Sequence, residues 1–241
     1  MAKFYSDLAF NNVEYAEEYT DKPKVDGVGY TFARKELDEC NLIAVSVRGF
    51  EYRIQWADNF LVGEEGDHEG FYTSAYDVSL ALDRYLGKIN SEKPLKLWMS
   101  GYSRGGAIVN CMASQILGNN SAHVNQSNMY VYTFEAPRGL SKEHAVAYPN
   151  VLNVINSADI FTKICPEEYG LYRCGIDVDI YSSDFDNVIK TYDKDAVPAF
   201  KSSALYVSYI YRSHLSVYPL PYQLIMCFGK TRDILSITFY C

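Results

Sequence analysis

Gly101-Tyr102-Ser103-Arg104-Gly105-Gly106 places a serine in a Gly-x-Ser-x-Gly pattern with a further glycine behind it. A serine that attacks a carbonyl must lift its Oγ clear of the sheet on a very tight turn. Side chains two residues before and two after the serine would collide there, so glycine at both positions is what the geometry asks for. A helix starting at such a turn aims backbone N–H groups at the oxyanion that develops during attack. The chemistry would be acyl transfer: serine attacks, a leaving group departs, and water cleaves the acyl-enzyme. An ordinary glycine-rich turn with an ordinary serine also satisfies the pattern, so the weight falls on its partners and flanks.

A serine on such a turn is followed along the chain by an acid and then by a histidine. The histidines are His68, His123, His144 and His214. His68 precedes the serine, and His123 and His144 precede the best acid, Asp159. His214, in Arg212-Ser213-His214-Leu215, meets the order. Asp159 is preferred to Asp177, Asp179, Asp193 and Asp195 because it follows directly on an expected core strand. It would accept a hydrogen bond from His214 and hold the tautomer that leaves the other ring nitrogen for Ser103. The blander alternatives are a surface histidine and an Asx-turn aspartate. Oxyanion donors are expected at the Arg104 backbone N–H and at one in the loop after Val47, at Phe50 or Gly49. Arg48 is read as structural, pairing with a carboxylate to fix that loop, and His68 as a packing or hydrogen-bonding residue.

The elements that must position these residues follow from periodicity. Leu95–Ser100, opened by Pro94, reads as a strand. In Ala107–Leu117, Ile108, Cys111, Met112 and Ile116 recur at helical spacing, and Gly118-Asn119-Asn120 ends the run. Gly27–Ala33 reads as a first strand, Asp38–Asn41 as a turn, and Leu42–Val47 as a buried strand. Arg48-Gly49-Phe50 then lies at a carboxyl end, where open α/β sheets place ligands. After the polar loop Gly63–Asp67, a helix carries Phe71, Ala75, Val78, Leu82, Tyr85, Leu86 and Ile89 on one face. Met129–Phe134 and Val151–Ile155 are further strands. Leu171–Tyr181 alternates like a hairpin strand, with Ile176, Val178 and Ile180 opposite Asp177 and Asp179. The opening, to about Lys24, reads as a solvated surface segment. The β-α-β-α-β order argues for an α/β fold with a mostly parallel central sheet and helices on both faces.

Composition narrows the class. With 48% apolar and 22% charged residues, 241 residues build one domain with a sizeable core. A net charge of −8, with no long Lys/Arg cluster, argues against nucleic acid as a partner and against attraction to an anionic membrane surface. No apolar run reaches the length of a transmembrane segment, and the N-terminus lacks a basic stretch followed by an apolar one. The six cysteines form no CxxC pair, so no metal is expected. Cys111 reads as a buried free thiol. Cys165 and Cys174 flank a loop and would be close enough in sequence to pair under oxidising conditions.

In this order the landmarks resemble the class 3 lipase family, the fungal-lipase-like α/β-hydrolases. They are Val45-Ser46-Val47-Arg48-Gly49, Trp56 with Asp58, His68-Glu69-Gly70-Phe71, the Gly101–Ala107 elbow, Tyr132–Arg138 and Asn153–Asp159. The Arg-Gly pair after the serine makes the bacterial branch look closest. The resemblance implies an α/β-hydrolase fold and hydrolysis of carboxylic esters, of acylglycerol or other neutral type, without metal or organic cofactor. Phospholipase A1 and aryl esterase activities share that chemistry, and a non-catalytic scaffold that binds a ligand or partner is the alternative of a different class. The resemblance supports Ser103, Asp159 and His214 as the triad, Arg104 and Phe50 as oxyanion donors, and Gly101 and Gly105 as the elbow glycines. Tyr102 stands where many members carry His. Phe50 stands where many carry Thr or Ser, so it offers a backbone N–H but no hydroxyl. The stretch from Phe50 to His68 is short for an amphipathic lid. Many relatives also carry helical sequence upstream of the first strand, so the expectation is a single domain over residues 1–241 without those helices. Contact with a lipid interface, if it occurs, would be transient.

Overall fold

The computed structural model describes residues 1–17, 28–49, 66–119, 124–156, 161–163, 165 and 167–179. Phe50, Asp159 and His214 lie outside the described residues, as do Trp56, Asp58, His123 and the aromatic-rich stretch that reaches His214. Among the described residues seven strands form one sheet in chain order: β1 (Asn11–Glu17), β2 (Gly29–Glu36), β3 (Asn41–Val47), β4 (Leu95–Tyr102), β5 (Met129–Phe134), β6 (Val151–Ile155) and β7 (Ile176–Asp179). β1, β2 and β3 pair antiparallel, and β3 through β7 pair parallel. The sheet is therefore mostly parallel, as expected.

Two helices cross over on one face. α2 (Glu69–Leu86) joins β3 to β4, and α3 (Arg104–Gly118) joins β4 to β5. The expected stripe on α2 is the buried one, with Phe71, Ala75, Val78, Leu82 and Tyr85 against the sheet. Every residue of α3 from Arg104 to Ser114 is buried. A helix that is enclosed on all sides cannot slide or tilt without moving its neighbours, which suits the element that follows the serine. Ile43, Val45 and Val47 of β3 join this core, while Ala44 faces a second cluster on the opposite side of the sheet. There α1 (Ala2–Asp7) lays Tyr5 beside Phe10, Ala33 and Ala44. Helices thus occupy both faces.

Two readings of the sequence are corrected. The opening is not merely a solvated segment: it forms α1 and β1, and Tyr5 and Phe10 are buried. α1 has six residues and no side-chain cap, and the β1–β2 pairing shifts register between Asn11 and Glu14. Neither element leaves a clean 3.6- or 2-residue period. Among the described residues the Leu171–Tyr181 stretch shows no hairpin pairing. Its strand, β7, pairs parallel with β6, with Leu152 opposite Ile176. All four of its residues are exposed, so its alternation carries no buried face to reveal the partner.

A buried polar network ties α3, β5, β6 and β7 together. Asn153 Oδ1 accepts from Asn110 Nδ2 (2.9 Å) and from Thr133 Oγ1 (2.7 Å). Asn153 Nδ2 donates to the Cys174 carbonyl and to Asp177 Oδ1, both at 2.9 Å. All four hydrogen-bonding positions of the Asn153 amide are therefore used. Asn110 completes the network, donating to the Cys174 carbonyl (2.9 Å) and accepting from the Cys174 N–H (3.0 Å). Asn153→Ala would strand these partners in the core, at an expected cost of about 2–4 kcal/mol, measurable by urea unfolding. A loss below about 0.5 kcal/mol, the level of an ordinary surface change, would contradict the network.

Cys40, Cys111, Cys165 and Cys174 are free and buried. Cys111 is the expected buried thiol, and Cys165 and Cys174 are not bonded to each other. Burial pushes the Cys111 thiol well up, and those of Cys165 and Cys174 up to about 12. Such thiols are inert neutral packing groups.

Candidate active site

Ser103 sits between the end of β4 and the first turn of α3, with φ 54° and ψ −125°. A positive φ is costly for a residue with a Cβ and persists only where the surroundings enforce it. Here they do. The Ser103 N–H donates to the Phe134 carbonyl at the end of β5 (2.8 Å), and its carbonyl accepts from Ala107 N–H (3.1 Å). Serine at a helix N-cap normally turns its hydroxyl onto the helix. The Ser103 side chain makes no such cap bond, so its Oγ is not spent on the helix.

The glycines around it mark close approaches of backbone to backbone. A Cβ on Gly101 would overlap the Gly105 carbonyl oxygen and lie 2.8 Å from Gly106 N. A Cβ on Gly105 would overlap the Val47 carbonyl oxygen and lie 2.6 Å from that of Arg48. The first turn of α3 is thus seated directly on the exit of β3. Gly49, just beyond, approaches the Tyr102 carbonyl so closely that a Cβ there would lie 2.9 Å from it. The loop after Val47 and the turn at Ser103 are consequently neighbours, which is the placement a two-donor oxyanion site requires.

Arg104 keeps its side chain inside the protein. It is buried, and its Nη2 donates to Ser74 Oγ on α2 at 3.1 Å. The guanidinium therefore anchors α3 to α2, while the residue's backbone N–H lies in the first turn of the helix, at the positive end of its dipole. Beside the turn opens a cleft of about 570 Å³, lined by Arg48, Gly49, Gly101, Tyr102 and Phe134 together with the N-terminal Met1–Lys3. Tyr102 and Phe134 give it an apolar wall, and both are exposed.

The remaining histidines divide as their surroundings dictate. His68 is fully buried, stacks on Phe71 with ring centroids 3.8 Å apart, and accepts from the Phe71 N–H through Nδ1 (3.4 Å). It caps α2, which is the packing and hydrogen-bonding role expected of it. His144 carries a carboxylate of its own. Its Nδ1 lies 2.6 Å from Asp67 Oδ2, and Asp67 Oδ1 accepts from Ser141 N–H at 2.7 Å. Nothing in the spacing of Asp67 and His144 signalled that pair.

Two more residues escaped the sequence reading, and both act on the segment that follows β6. Glu135 stands directly after β5 with φ 50°. Its carboxylate accepts from the Asn156 N–H with both oxygens, at 3.2 and 3.0 Å. Arg173 has a side chain only 3% exposed. It donates to the Ala136 carbonyl (2.7 Å), the Thr162 carbonyl (2.7 Å) and Asp177 Oδ2 (3.0 Å). Burial pulls its pKa down, and the Asp177 carboxylate beside it opposes that shift. Arg138 adds a bond to the same Thr162 carbonyl at 3.4 Å and an ion pair to Glu167 at 3.0 Å. The arginine in Pro137-Arg138 was visible as a motif letter; its convergence with Arg173 was not.

A mostly parallel sheet flanked by helices, with a strained serine on the strand-to-helix turn, defines an α/β-hydrolase fold. The model of the lipase (class 3) family matches residues 44–169, more than half of the chain, and the chain belongs to that family. Among solved structures it is similar to lipase II from Rhizopus niveus, with TM-score 0.53 and 16% identity over 71% of this chain and 68% of that one. It is similar to a propeptide complex of Rhizomucor miehei lipase, with TM-score 0.51 and 18% identity over 75% of this chain and 59% of that one. The nonglycosylated LIP2 lipase of Yarrowia lipolytica gives TM-score 0.51 and 16% identity over 74% and 70%. At such identities the likeness speaks to the fold. This chain spans 59% of the length of the Rhizomucor structure. No curated protein matches the chain.

Proposed function

We propose that the protein is a serine carboxylic-ester hydrolase that cleaves acylglycerol-like or other neutral esters through an acyl-enzyme. The observation that carries this reading is the backbone of Ser103, held at φ 54° on a strand-to-helix turn by glycines that no larger residue can replace, in a chain of the class 3 lipase family. Ser103 attacks the ester carbonyl. His214 takes the serine proton and returns it to the leaving alcohol, and Asp159 holds His214 in the tautomer that leaves one nitrogen for the serine. The Arg104 backbone N–H and one from Phe50 or Gly49 receive the oxyanion. Water then enters and His214 activates it to release the acid. The cleft beside the turn, with Tyr102 and Phe134 on its wall, would take the apolar part of the ester. The Arg104-Gly105 pair after the serine supports a place in the bacterial branch of the family.

Hydrolysis of p-nitrophenyl esters from acetate to palmitate, with fluorophosphonate labelling alongside, tests the reading. Turnover and labelling at Ser103 are expected, and the chain-length maximum separates esterase from lipase. A folded protein that turns over no ester and takes no label would leave the fold as a binding scaffold. The short stretch between Phe50 and His68 leads to a second expectation. The rate should rise smoothly with substrate concentration, and a sharp jump where the substrate forms micelles would reveal a lid.

A further inference from the structure

The proposed triad acid, Asp159, lies three residues after Asn156 and three before Thr162, and the backbone of each of those two residues is tied to a charged side chain. The Asn156 N–H is held by both oxygens of Glu135, at 3.2 and 3.0 Å. The Thr162 carbonyl is held by Arg173 at 2.7 Å and by Arg138 at 3.4 Å. Neither tether is isolated. Glu135 follows β5 directly, one residue beyond the Phe134 whose carbonyl accepts from the Ser103 N–H at 2.8 Å. Arg173 bonds the Ala136 carbonyl one residue further on, at 2.7 Å. The strip Phe134-Glu135-Ala136 therefore holds the serine turn through its first residue and the two ends of the acid segment through the next two.

The backbone of Glu135 strengthens the case. Its φ of 50° is one that a residue with a Cβ adopts at a cost. Glycine would relieve that cost and lose the bonds to the Asn156 N–H, so a glutamate at this position supplies a tether at the expense of backbone strain. Arg173 likewise is nearly fully buried, and its planar fork divides its donors among two carbonyls on different segments and Asp177. Lysine, a point donor on a flexible stem, cannot bridge them in the same way.

We propose that Glu135 and Arg173 are positioning residues for the acid of the triad, fixing the chain on either side of Asp159 relative to the serine turn. The inference rests on reading Asp159 as that acid. Neither side chain needs to touch the substrate; each acts by holding the backbone at Asn156 or Thr162, three residues to either side of Asp159.

The test combines Glu135→Gly, Glu135→Gln, Arg173→Lys and Asp159→Asn, assayed by p-nitrophenyl ester turnover across pH and by thermal unfolding. Glu135→Gly separates positioning from simple support, because it relieves backbone strain while deleting the tether. Its Tm is expected to hold or rise while kcat falls about 10- to 100-fold at unchanged KM. Arg173→Lys is expected to lower kcat similarly, and Glu135→Gln, which retains an amide oxygen as acceptor, to recover part of the loss. A histidine that loses its carboxylate titrates lower, so the acid limb of kcat/KM should move to lower pH by about one unit in Glu135→Gly and Arg173→Lys. In the Asp159→Asn background, adding Glu135→Gly should change nothing further, because the group being positioned is gone. Wild-type kcat and pH limb in Glu135→Gly and Arg173→Lys, with Asp159→Asn inactive, would overturn the positioning role and leave the triad standing. Full activity in Asp159→Asn would instead remove the acid assignment and the inference with it. If Arg173→Lys does not fold, the Glu135 pair decides.

Discussion

Ser103→Ala is expected to lower kcat on p-nitrophenyl esters by about 10⁴- to 10⁶-fold, because removing the nucleophile of a triad forfeits the whole covalent route and leaves only binding and oxyanion contacts. The protein should stay folded. The side chain makes no cap bond to α3, so no helix contact is lost with the hydroxyl. The backbone is instead held by the bonds to Phe134 and Ala107, which alanine keeps. Ser103→Gly sharpens the point. A residue kept at φ 54° stores about 1–3 kcal/mol that glycine does not. Part of this is offset by the larger entropy that glycine loses on folding. A net gain near 1 kcal/mol would raise Tm by about 2–4 °C in a chain of this size, while activity falls as far as in Ser103→Ala. Opposite movement of stability and activity is the signature of strain kept for function. A Ser103→Gly protein that lost stability would mean that the strain is not there, and one that kept activity would mean that Ser103 is not the nucleophile.

The fold was legible where a residue's side chain has one buried direction. β3, β4, β5 and β6 are core strands whose apolar runs bury side chains against α2 and α3, and their expected bounds lie within two residues of the observed ones. The stripe on α2 is broad enough that its period survives any single polar substitution. Among the described strands β1 and β7 lie at the two ends of the sheet order, with Asn11, Asn12 and Tyr15 of β1 and all of β7 exposed, and there the pattern carries little information. At the site, Ser103, Gly101 and Gly105 could be read because the turn restricts residue type at fixed offsets. Glu135, Arg173, Asp67 and His144 could not. Their roles depend on which segments the sheet order brings side by side: Arg173 reaches Ala136 across 37 positions, and His144 reaches Asp67 across 77. His214 was singled out by chain order, and Asp159 by chain order and by following a core strand, and neither form of argument carries a distance.

Gly105→Ala is expected to be strongly destabilising for a single added methyl, at about 3–5 kcal/mol against a total stability of about 5–15 kcal/mol. Two effects oppose each other. Alanine is the better helix former by about 1 kcal/mol in a helix interior, which favours the mutant. Against this, the new Cβ would overlap the Val47 carbonyl oxygen and lie 2.6 Å from that of Arg48. An overpacked core usually loses about 1–3 kcal/mol because side chains can turn away. These obstacles are backbone atoms at the exit of β3, a strand bonded to β2 on one side and β4 on the other, so neither can turn. The steric cost therefore wins. Gly118, the last residue of the same helix, has nothing within 4 Å of an added Cβ, so Gly118→Ala should be neutral or stabilising. Urea unfolding of the two variants isolates the contact from helix propensity, since the substitution is the same. Any Gly105→Ala protein that folds must part the helix from the β3 exit, displacing the Arg104 N–H from the loop proposed to carry the second donor. Its kcat should then fall by about 10²-fold or more, the worth of one oxyanion donor. Equal stability of Gly105→Ala and Gly118→Ala would show that α3 does not rest on β3 at this point, and the geometric reason for the second elbow glycine would go with it.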